Sequence, residues 1–269
     1  MAGNTKALRV RIKSVTSTLQ LTKAMELVAS SKIRKANETM HKARQYSKSL
    51  SEAVEKIVAD RECQKSPYMR KGEGDRTKII VIAGDRGLAG GYNANVFRLC
   101  NEFKGAEFIP IGKRACERFS NEIVSSEHFS FSQSYELSKE LCRSFVNEEF
   151  DKLGIIYTKY VSVMTQTAEI KWLLPFENKG QNASDAGAIF EPDPVTVFEH
   201  IAEEYVAGMV TSLVRESFAS EVAARRMAMD SAGKNAKQMI DDLRLEYNRA
   251  RQGAITQEIT EIVAGSENG

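Results

Sequence analysis

A glycine-rich turn, Gly84 to Gly91, is the stretch of the sequence whose residue types and spacing could do chemistry. It follows the β-branched run Lys78 to Ala83 and precedes a helical stretch, Ala94 to Phe103. A strand, a glycine loop and a helix in this order often hold nucleotide phosphates. However, the loop lacks the G-x-G-x-x-G spacing, and no G-x-x-x-x-G-K-[ST] motif occurs in the chain. We therefore interpret the loop as a tight turn that needs glycine for positive φ angles and close packing.

Other residues that could support catalysis or metal binding do not form recognisable motifs. There is no nucleophile elbow or His-based triad, and Glu221 and Arg225 have the four-residue spacing of a helical ion pair. The four cysteines show no C-x-x-C spacing, and we expect reduced thiols in a reducing compartment: Cys63, Cys100, Cys116 and Cys142. The three histidines are scattered. We predict no catalytic residue, no cofactor and no metal.

The positions of proline and glycine divide the 269 residues into three parts. All five prolines lie between residues 67 and 194, and no glycine occurs between Gly3 and Gly72. Two ends without helix breakers, on either side of a middle that contains them, predict a helix, a compact domain and a second helix.

The stretch from Pro194 to Val263 is predicted to form one uninterrupted helix. Asp193 is a suitable N-cap, Pro194 suits the first helical position, and Gly265 is expected to end the helix. Apolar residues recur at helical spacing: Phe198, Ile201, Tyr205, Met209, Leu213, Met239, Leu243, Tyr247, Ala250 and Ala254. A helix on the order of 100 Å long cannot bury such a stripe inside its own domain, so it requires a partner helix.

The amino-terminal segment supplies that partner. Asn4 is expected to cap a helix that runs to about residue 60. Its seam follows alternating steps of four and three, with one serine among the apolar residues: Leu8, Ile12, Val15, Leu19, and later Ala36, Met40, Ala43, Ser47, Leu50, Val54 and Ile57. We predict a long antiparallel two-stranded coiled coil formed by residues 1–62 and 194–264.

The middle of the chain alternates between strand-like and helical patterns. Strands are predicted at residues 78–83, 108–111, 153–157 and 168–174, and helices at 94–103, 113–119 and 134–150. This alternation is typical of an open α/β sheet of the doubly wound kind. We expect a Rossmann-like α/β domain over residues 76–176, between a linker at 63–75 and a loop at 177–193.

The net charge of +2 hides an uneven charge distribution. No acidic residue precedes Glu26, whereas five basic residues do, which indicates an acidic partner surface for this segment. Nucleic acid is not favoured as that partner, because no cluster of aromatic residues accompanies the charges. No apolar run approaches the roughly 20 residues that span a bilayer, and no secretory or transit peptide is recognisable.

Several blocks of sequence resemble the γ-subunit family of ATP synthase, and they span the whole chain. Near the amino terminus is Leu21 to Lys32 (LTKAMELVASSK), and the glycine turn reads Asp85 to Asn93 (DRGLAGGYN), where the family often has Cys in place of Ala89. EPDP at 191–194 and ASEVAAR at 219–225 follow. The clearest block is Tyr247 to Ile259 (YNRARQGAITQEI).

The resemblance implies the central rotor shaft of an F-type ATP synthase, which is not itself catalytic. Its terminal helices would form a coiled coil inside the α3β3 ring of α and β subunits, with the Rossmann-like domain outside, near the ε subunit and the c-ring. By position, the catch loops of β and the upper bearing would contact Arg251, Gln252, Thr256 and Glu258. The acidic lever segment of β would face Lys23, Met25, Lys32, Arg34 and Lys35. The foot that meets ε and the c-ring would include Phe190, Glu191 and Asp193.

The resemblance also carries expectations about location and regulation. The absence of a presequence indicates a bacterial protein, peripheral on the cytoplasmic face of the inner membrane and in contact with the membrane only through the c-ring. Plastid members of the family carry a regulatory cysteine insert before the last helix. Residues 178–193 contain no cysteine, so we predict no thiol switch.

Overall fold

Long helices occupy both ends of the chain in the computed structural model, which describes residues 2–72, 74–120, 122–177 and 190–266. Helix α1 spans Ala2–Val58, and helix α5 spans Pro194–Ser266. Asp193 caps α5 as predicted, because its Oδ1 accepts hydrogen bonds from the backbone N–H groups of Val195 and Thr196. The sequence thus predicted both helices and the start of the second.

Two of the predicted helix ends were wrong. Helix α1 begins at Ala2, so Asn4 lies within its first turn and not at the position that precedes the helix. Helix α5 continues through Gly265 to Ser266. Glycine costs only about 1 kcal/mol in a helix, so Gly265 does not by itself stop one.

The chain divides into two compact units, and the first consists of residues 1–29 and 226–269. Its two helical segments run antiparallel: Arg9 Nη2 donates to the Tyr247 hydroxyl at 2.7 Å, and Thr22 lies opposite Gly233. The buried seam follows the predicted coiled-coil spacing with one correction. Met239 is 44% exposed and its neighbour Ile240 is buried, because the steps of four and three on α5 run through Gly233, Ala236, Ile240 and Leu243.

The second unit consists of residues 30–225 and contains the β-sheet together with the remaining parts of both long helices. Here too α1 and α5 run antiparallel: the hydroxyls of Ser47 and Ser212 are hydrogen-bonded at 3.1 Å, and Gly208 lies against Leu50 and Tyr46. A Cβ on Gly208 would lie 2.8 Å from Leu50 Cδ2. Gly208 therefore allows close approach of the two helices.

The sheet has four strands in the order β2-β1-β3-β4. The strands are β1 (Thr77–Ile82), β2 (Glu107–Ile111), β3 (Lys152–Tyr160) and β4 (Gln166–Leu174). The three shorter helices are α2 (Tyr92–Cys100), α3 (Lys113–Phe119) and α4 (Phe131–Val146). β1 pairs parallel with β2 and β3, whereas β4 pairs antiparallel with β3. The predicted open α/β sheet is confirmed, with an antiparallel edge strand.

Both faces of the sheet are covered, which explains why β1 reads as a continuous apolar run. On one face, Ile79 and Val81 pack with residues of α2 and α3. On the other, Ile80 and Ile82 pack with α4 and with the α1 and α5 segments of the same unit. The two compact units thus divide both long helices between them. The physical reason is that residues 194–225 are part of the core around the sheet.

Candidate functional site

The carboxyl ends of β1 and β3 form the crevice where an open α/β sheet usually binds its ligand. The chain crosses from β1 to β2 on one side and reaches β3 on the other, so the topological switch lies between these strands. In this protein the segment of α5 from Glu216 to Arg225 lies across that crevice. Its side chains contact the glycine turn after β1 and the backbone at the end of β3.

At the end of β3, three side chains of α5 bind the strand backbone directly. Ser217 Oγ accepts from the N–H of Thr158 at 3.0 Å, and Ser220 Oγ donates to the carbonyl oxygen of Thr158 at 3.0 Å. Glu216 Oε1 accepts from the N–H of Tyr160 at 3.0 Å. We call this set of contacts, together with Arg44, the β3 clasp.

Arg44 joins α1 to the same clasp. Its guanidinium binds both carboxylate oxygens of Glu216, at 2.7 and 3.1 Å, and donates to the carbonyl oxygen of Tyr160 at 2.8 Å. The hydrogen bond to Glu216 raises the pKa of Arg44 although burial lowers it. A two-point contact of this kind is geometrically specific as well as strong.

At the end of β1, the glycine turn contacts a buried ion pair of α5. A Cβ on Gly84 would lie 2.7 Å from Glu221 Cδ, so only glycine admits the carboxylate at this distance. Arg225 pairs with Glu221 and donates to the carbonyl oxygens of Arg86 and Gly87, each at 3.3 Å. Burial raises the pKa of Glu221, and the Arg225 guanidinium opposes this rise. The turn thus holds a carboxylate of its own chain, and the sequence interpretation as a close-packed turn agrees with this geometry.

Asp85 fixes the other side of the glycine turn. Its carboxylate accepts from the N–H groups of Lys113, Ser126 and Glu127 and from the Ser125 hydroxyl, at 2.6 to 3.0 Å. Burial acts to raise the pKa of Asp85, but these four hydrogen bonds outweigh it and the pKa is lowered. The carboxylate is a structural joint between the turn, the start of α3 and the segment after it.

Two further contacts link the long helices to the α/β part of the same unit. Arg215 of α5 donates to the carbonyl oxygens of Glu127 and Phe129, at 3.3 and 2.7 Å. Lys32 of α1 forms an ion pair with Glu127 at 2.6 Å. Burial acts to raise the pKa of Glu127, but Lys32 and Arg86 lower it overall.

The cysteine side chains are free thiols, and all four are buried. Burial raises the pKa of Cys63 and Cys100 to about 11 and that of Cys142 to about 12. A thiol with so high a pKa carries little thiolate and is a poor nucleophile. Most of the loop expected at residues 177–193, on which the prediction of no thiol switch depends, lies outside the described residues.

The residues predicted to contact the catch loops and bearing lie together near the end of α5. Arg251, Gln252, Thr256 and Glu258 are all exposed, and Thr256 Oγ1 donates to the carbonyl oxygen of Gln252 at 3.0 Å. Because Arg9 is opposite Tyr247, the α5 residues from Ile255 onward lie beyond the described start of α1. Apolar side chains are exposed there: Ile255, Ile259, Ile262 and Val263.

The residues predicted to face the acidic lever differ in their surroundings. Lys23 is exposed and Met25 is half-buried in the first unit, while Arg34 and Lys35 are exposed in the second. Lys32, in contrast, is half-buried in its ion pair with Glu127. Its ammonium group is therefore already used within the chain.

The predicted foot residues have three different environments. Phe190 packs against the hydrophobic core on the α5 face of the sheet. Asp193 is occupied as the α5 cap, and its hydrogen bonds with Thr196 lower its pKa. Glu191 is exposed.

Sequence reasoning missed the β3 clasp and the depth at which Glu221 is buried. A signal for both was present: between Val206 and Ala224, α5 carries only three charged residues, Arg215, Glu216 and Glu221. Isolated charges in an otherwise apolar or small-residue stretch are expected to be buried and paired. Each of the three makes one of the contacts described above.

Two features typical of other protein classes are absent from the described residues. Within the described part of the chain, no helix is both long and apolar enough to cross a bilayer. No group of three or more His, Cys, Asp or Glu side chains suited to a metal ion was found among the same residues.

Comparison with known proteins gave consistent matches. The family model described as ATP synthase matches residues 4–268. The chain is 41% identical to the ATP synthase gamma chain of Ruminococcus albus and 38% identical to the sodium-ion-specific gamma chain of Acetobacterium woodii, over 99% of both proteins in each case.

Solved structures agree in fold. A chain of the Euglena gracilis mitochondrial ATP synthase, in a structure of OSCP, F1 and the c-ring, matches with a TM-score of 0.68 at 19% identity, covering 98% of this chain and 94% of that one. A chain from the central stalk and c-ring structure of the Tetrahymena thermophila enzyme matches with a TM-score of 0.62 at 20% identity, covering 79% of this chain and 99% of that one.

Proposed function

This chain belongs to the ATP synthase γ-chain family, and we propose that it is the central rotor shaft of an F-type ATP synthase. The observation that carries the proposal is the antiparallel pairing of α1 with α5 in both units, by Arg9 with Tyr247 in the first and by Ser47 with Ser212 in the second. The partners are the α and β subunits of an α3β3 ring, the ε subunit and the c-ring.

The shaft acts through contact energies and performs no chemistry. A shaft whose faces differ contacts three chemically equivalent catalytic subunits differently at each angle, so each orientation stabilises a different set of open and closed states. The ligand crevice of the α/β sheet is filled by Glu221 and Arg225, which supports a non-catalytic role. A nucleotide-dependent enzyme built on this α/β sheet would require that crevice to be open.

The proposed contacts follow the exposed residues of each region. The end of α5, with Arg251, Gln252, Thr256 and Glu258, meets the catch loops and the bearing. Lys23, Met25, Arg34 and Lys35 face the acidic lever of β, with Lys32 joining them only where its pairing with Glu127 is released. The foot that meets ε and the c-ring consists of Phe190, Glu191 and Asp193, and Glu191 is its exposed member.

The proposed location follows from those partners. The chain would be peripheral, held at the cytoplasmic face of a bacterial inner membrane through the c-ring, and it would couple proton or sodium-ion flow to ATP synthesis and hydrolysis. The bacterial sources of the relatives named above support this placement.

The assigned contacts at the end of α5 can be tested by mutation. Replacing Arg251→Ala and Gln252→Ala together is expected to lower ATP turnover of the reconstituted α3β3 complex about tenfold, because charge-assisted hydrogen bonds to β are lost. Both side chains are exposed in the free chain, so its circular dichroism and unfolding midpoint should not change. Steady-state hydrolysis of ATP provides the measurement.

A matched control is available on the same helix. Lys237→Ala with Gln238→Ala likewise removes a cationic and an amide side chain, from exposed positions to which no contact with another subunit is assigned. Within the chain it costs the exposed hydrogen bond from Gln238 to Asp242. This control should retain wild-type turnover. Equal turnover in the two double variants would refute the assigned contacts while leaving the shaft role standing.

A further inference from the structure

The β3 clasp continues the hydrogen-bond ladder of the sheet with side chains of a helix. β1 pairs with β3 only as far as Ile156, which lies opposite Val81. Beyond this point the backbone of Thr158 and Tyr160 faces α5, and α5 supplies the partners that a longer β1 would have supplied. The helix is therefore bonded into the sheet at its switch point and does not merely pack on it.

Because these bonds are directional, the clasp resists rotation of α5 relative to the sheet. Ser217, Ser220 and Glu216 project sideways from α5 and hold the end of a strand that lies in a sheet covered on both faces. Turning α5 about its own axis against the sheet would break these bonds together. Apolar packing alone is non-directional and resists such a slip less specifically.

The clasp also holds both long helices at one place. Arg44 binds Glu216 of α5 and the carbonyl oxygen of Tyr160 at once, so α1, α5 and β3 share one network. The Glu216 side chain is only 7% exposed, which protects its hydrogen bonds from competition by water. The Tyr92 hydroxyl donates to the backbone carbonyl oxygen of Ser217 at 3.0 Å and ties α2 to the same turn of α5.

We propose that the β3 clasp transmits torque between the α/β part of the chain and its helix pair, with Glu216, Ser217, Ser220 and Arg44 as positioning residues. The inference rests on the proposed rotor function. In a rotor whose α/β part meets the ion-driven ring, every turn of the helices must pass through the contacts of that part with α1 and α5. Among these contacts, the clasp joins both helices and the end of β3 in one network of directional bonds. Arg215 and Arg225 add further directional bonds from α5.

The test uses the complete membrane enzyme, reconstituted in vesicles with its own subunits. Ser217→Ala with Ser220→Ala removes both hydroxyl links to Thr158 without adding charge or bulk. Ion uptake per ATP hydrolysed is expected to fall at least roughly twofold as the opposing ion gradient grows, because the weakened link slips under load. Uptake is followed with a pH-sensitive dye or with radioactive sodium, and hydrolysis is measured in the same vesicles.

The control pair is Ser47→Ala with Ser212→Ala, which deletes the buried hydroxyl bond between α1 and α5 and the bond of Ser47 to the backbone carbonyl oxygen of Arg44 within α1. It leaves the bonds to β3 and the Arg44 side chain untouched. It should keep the wild-type ratio of uptake to hydrolysis at every gradient. A merely structural role for the clasp would lower uptake and hydrolysis by the same factor at all loads. That result, or an equal change in the control pair, overturns the proposal.

The single substitution Ser220→Ala, which removes one bond, allows the same comparison where the double variant does not fold. Failure of the rotor function itself gives a different result, since the wild-type chain would then not assemble with α and β subunits. Normal assembly with an unchanged ratio in the variants counts against the clasp alone.

Discussion

Replacing Gly112 with alanine is expected to destabilise the folded chain more than any other single substitution considered. Gly112 follows β2 with a φ of 99°, and a Cβ there would lie 1.9 Å from the carbonyl oxygen of Ala83. Backbone cannot yield as a flexible side chain can, because Ala83 and Gly84 are held by hydrogen bonds to Ile111 and Arg114. We expect a loss of more than about 4 kcal/mol in the free energy of unfolding.

Gly105 provides the matched control for this prediction. It has a similar φ of 90°, but nothing lies within 4 Å of the position where its Cβ would be. Gly105→Ala should therefore cost only the backbone strain, about 1–2 kcal/mol. Urea unfolding of the two full-length variants measures the difference, and equal midpoints would show that the contact with Ala83 does not constrain the fold.

Replacing Arg225 with methionine is expected to have the second largest effect. The Glu221 side chain is 3% exposed, and Arg225 is its ion-pair partner. Removing one partner of a buried pair leaves an uncompensated charge and typically costs about 3–5 kcal/mol. The glycine turn also loses the donor that holds the carbonyl oxygens of Arg86 and Gly87.

The same variant should acquire a characteristic pH dependence. Burial already raises the pKa of Glu221, and without Arg225 it should rise further, so the folded state retains a proton that the unfolded chain loses. Stability relative to wild type should therefore be greater near about pH 5 than near about pH 8, falling as pH rises between the unfolded and folded pKa values.

Lys234→Met is the control for the loss of one positive charge from an ion pair on α5. Lys234 and Asp230 have the same four-residue spacing on α5, but the Lys234 side chain is 76% exposed. Its loss should leave the unfolding midpoint and its pH dependence unchanged, since exposed pairs contribute little. A pH-independent difference between Arg225→Met and wild type would contradict the assignment of a buried Glu221 charge.

The features that repeat along the sequence were the ones that could be predicted from it. Helix α1 shows apolar residues in steps of four and three, and the middle of the chain alternates between β-branched and helical runs. Such patterns reflect local secondary structure, and the folded chain keeps that secondary structure. The cap at Asp193 was also readable, because a cap depends on neighbouring residues only. These signals sufficed for the antiparallel helices and the open α/β sheet.

Features that depend on residues distant in sequence could not be predicted. Ser217 and Thr158 lie 59 residues apart, and no periodicity relates a helix hydroxyl to the end of a strand. The antiparallel direction of β4 was missed although it is a local feature, since the connection at residues 161–165 is too short for the crossover that a parallel strand needs. Met239 was assigned to the seam in place of Ile240 because both are apolar and adjacent, and only the partner helix distinguishes them.

The position of α5 in the ligand crevice explains how this fold can serve a non-catalytic role. A doubly wound sheet with its switch point open can bind a nucleotide, but here the crevice holds Glu221, Arg225 and the β3 clasp. The glycine turn resembles a phosphate-binding loop in the sequence, but in the structure it contacts Glu221 and Arg225 of α5. The fold thus uses its binding edge to anchor a long helix.

The most direct test of the central claim is the mass of the complex that this chain forms with its co-expressed α and β subunits. We predict that native mass spectrometry finds one copy of the chain with three copies of each larger subunit, and that the isolated chain shows no saturable nucleotide binding. A chain that remains alone beside the assembled ring, or that binds nucleotide at the Gly84 turn, would contradict the assignment of a non-catalytic rotor shaft.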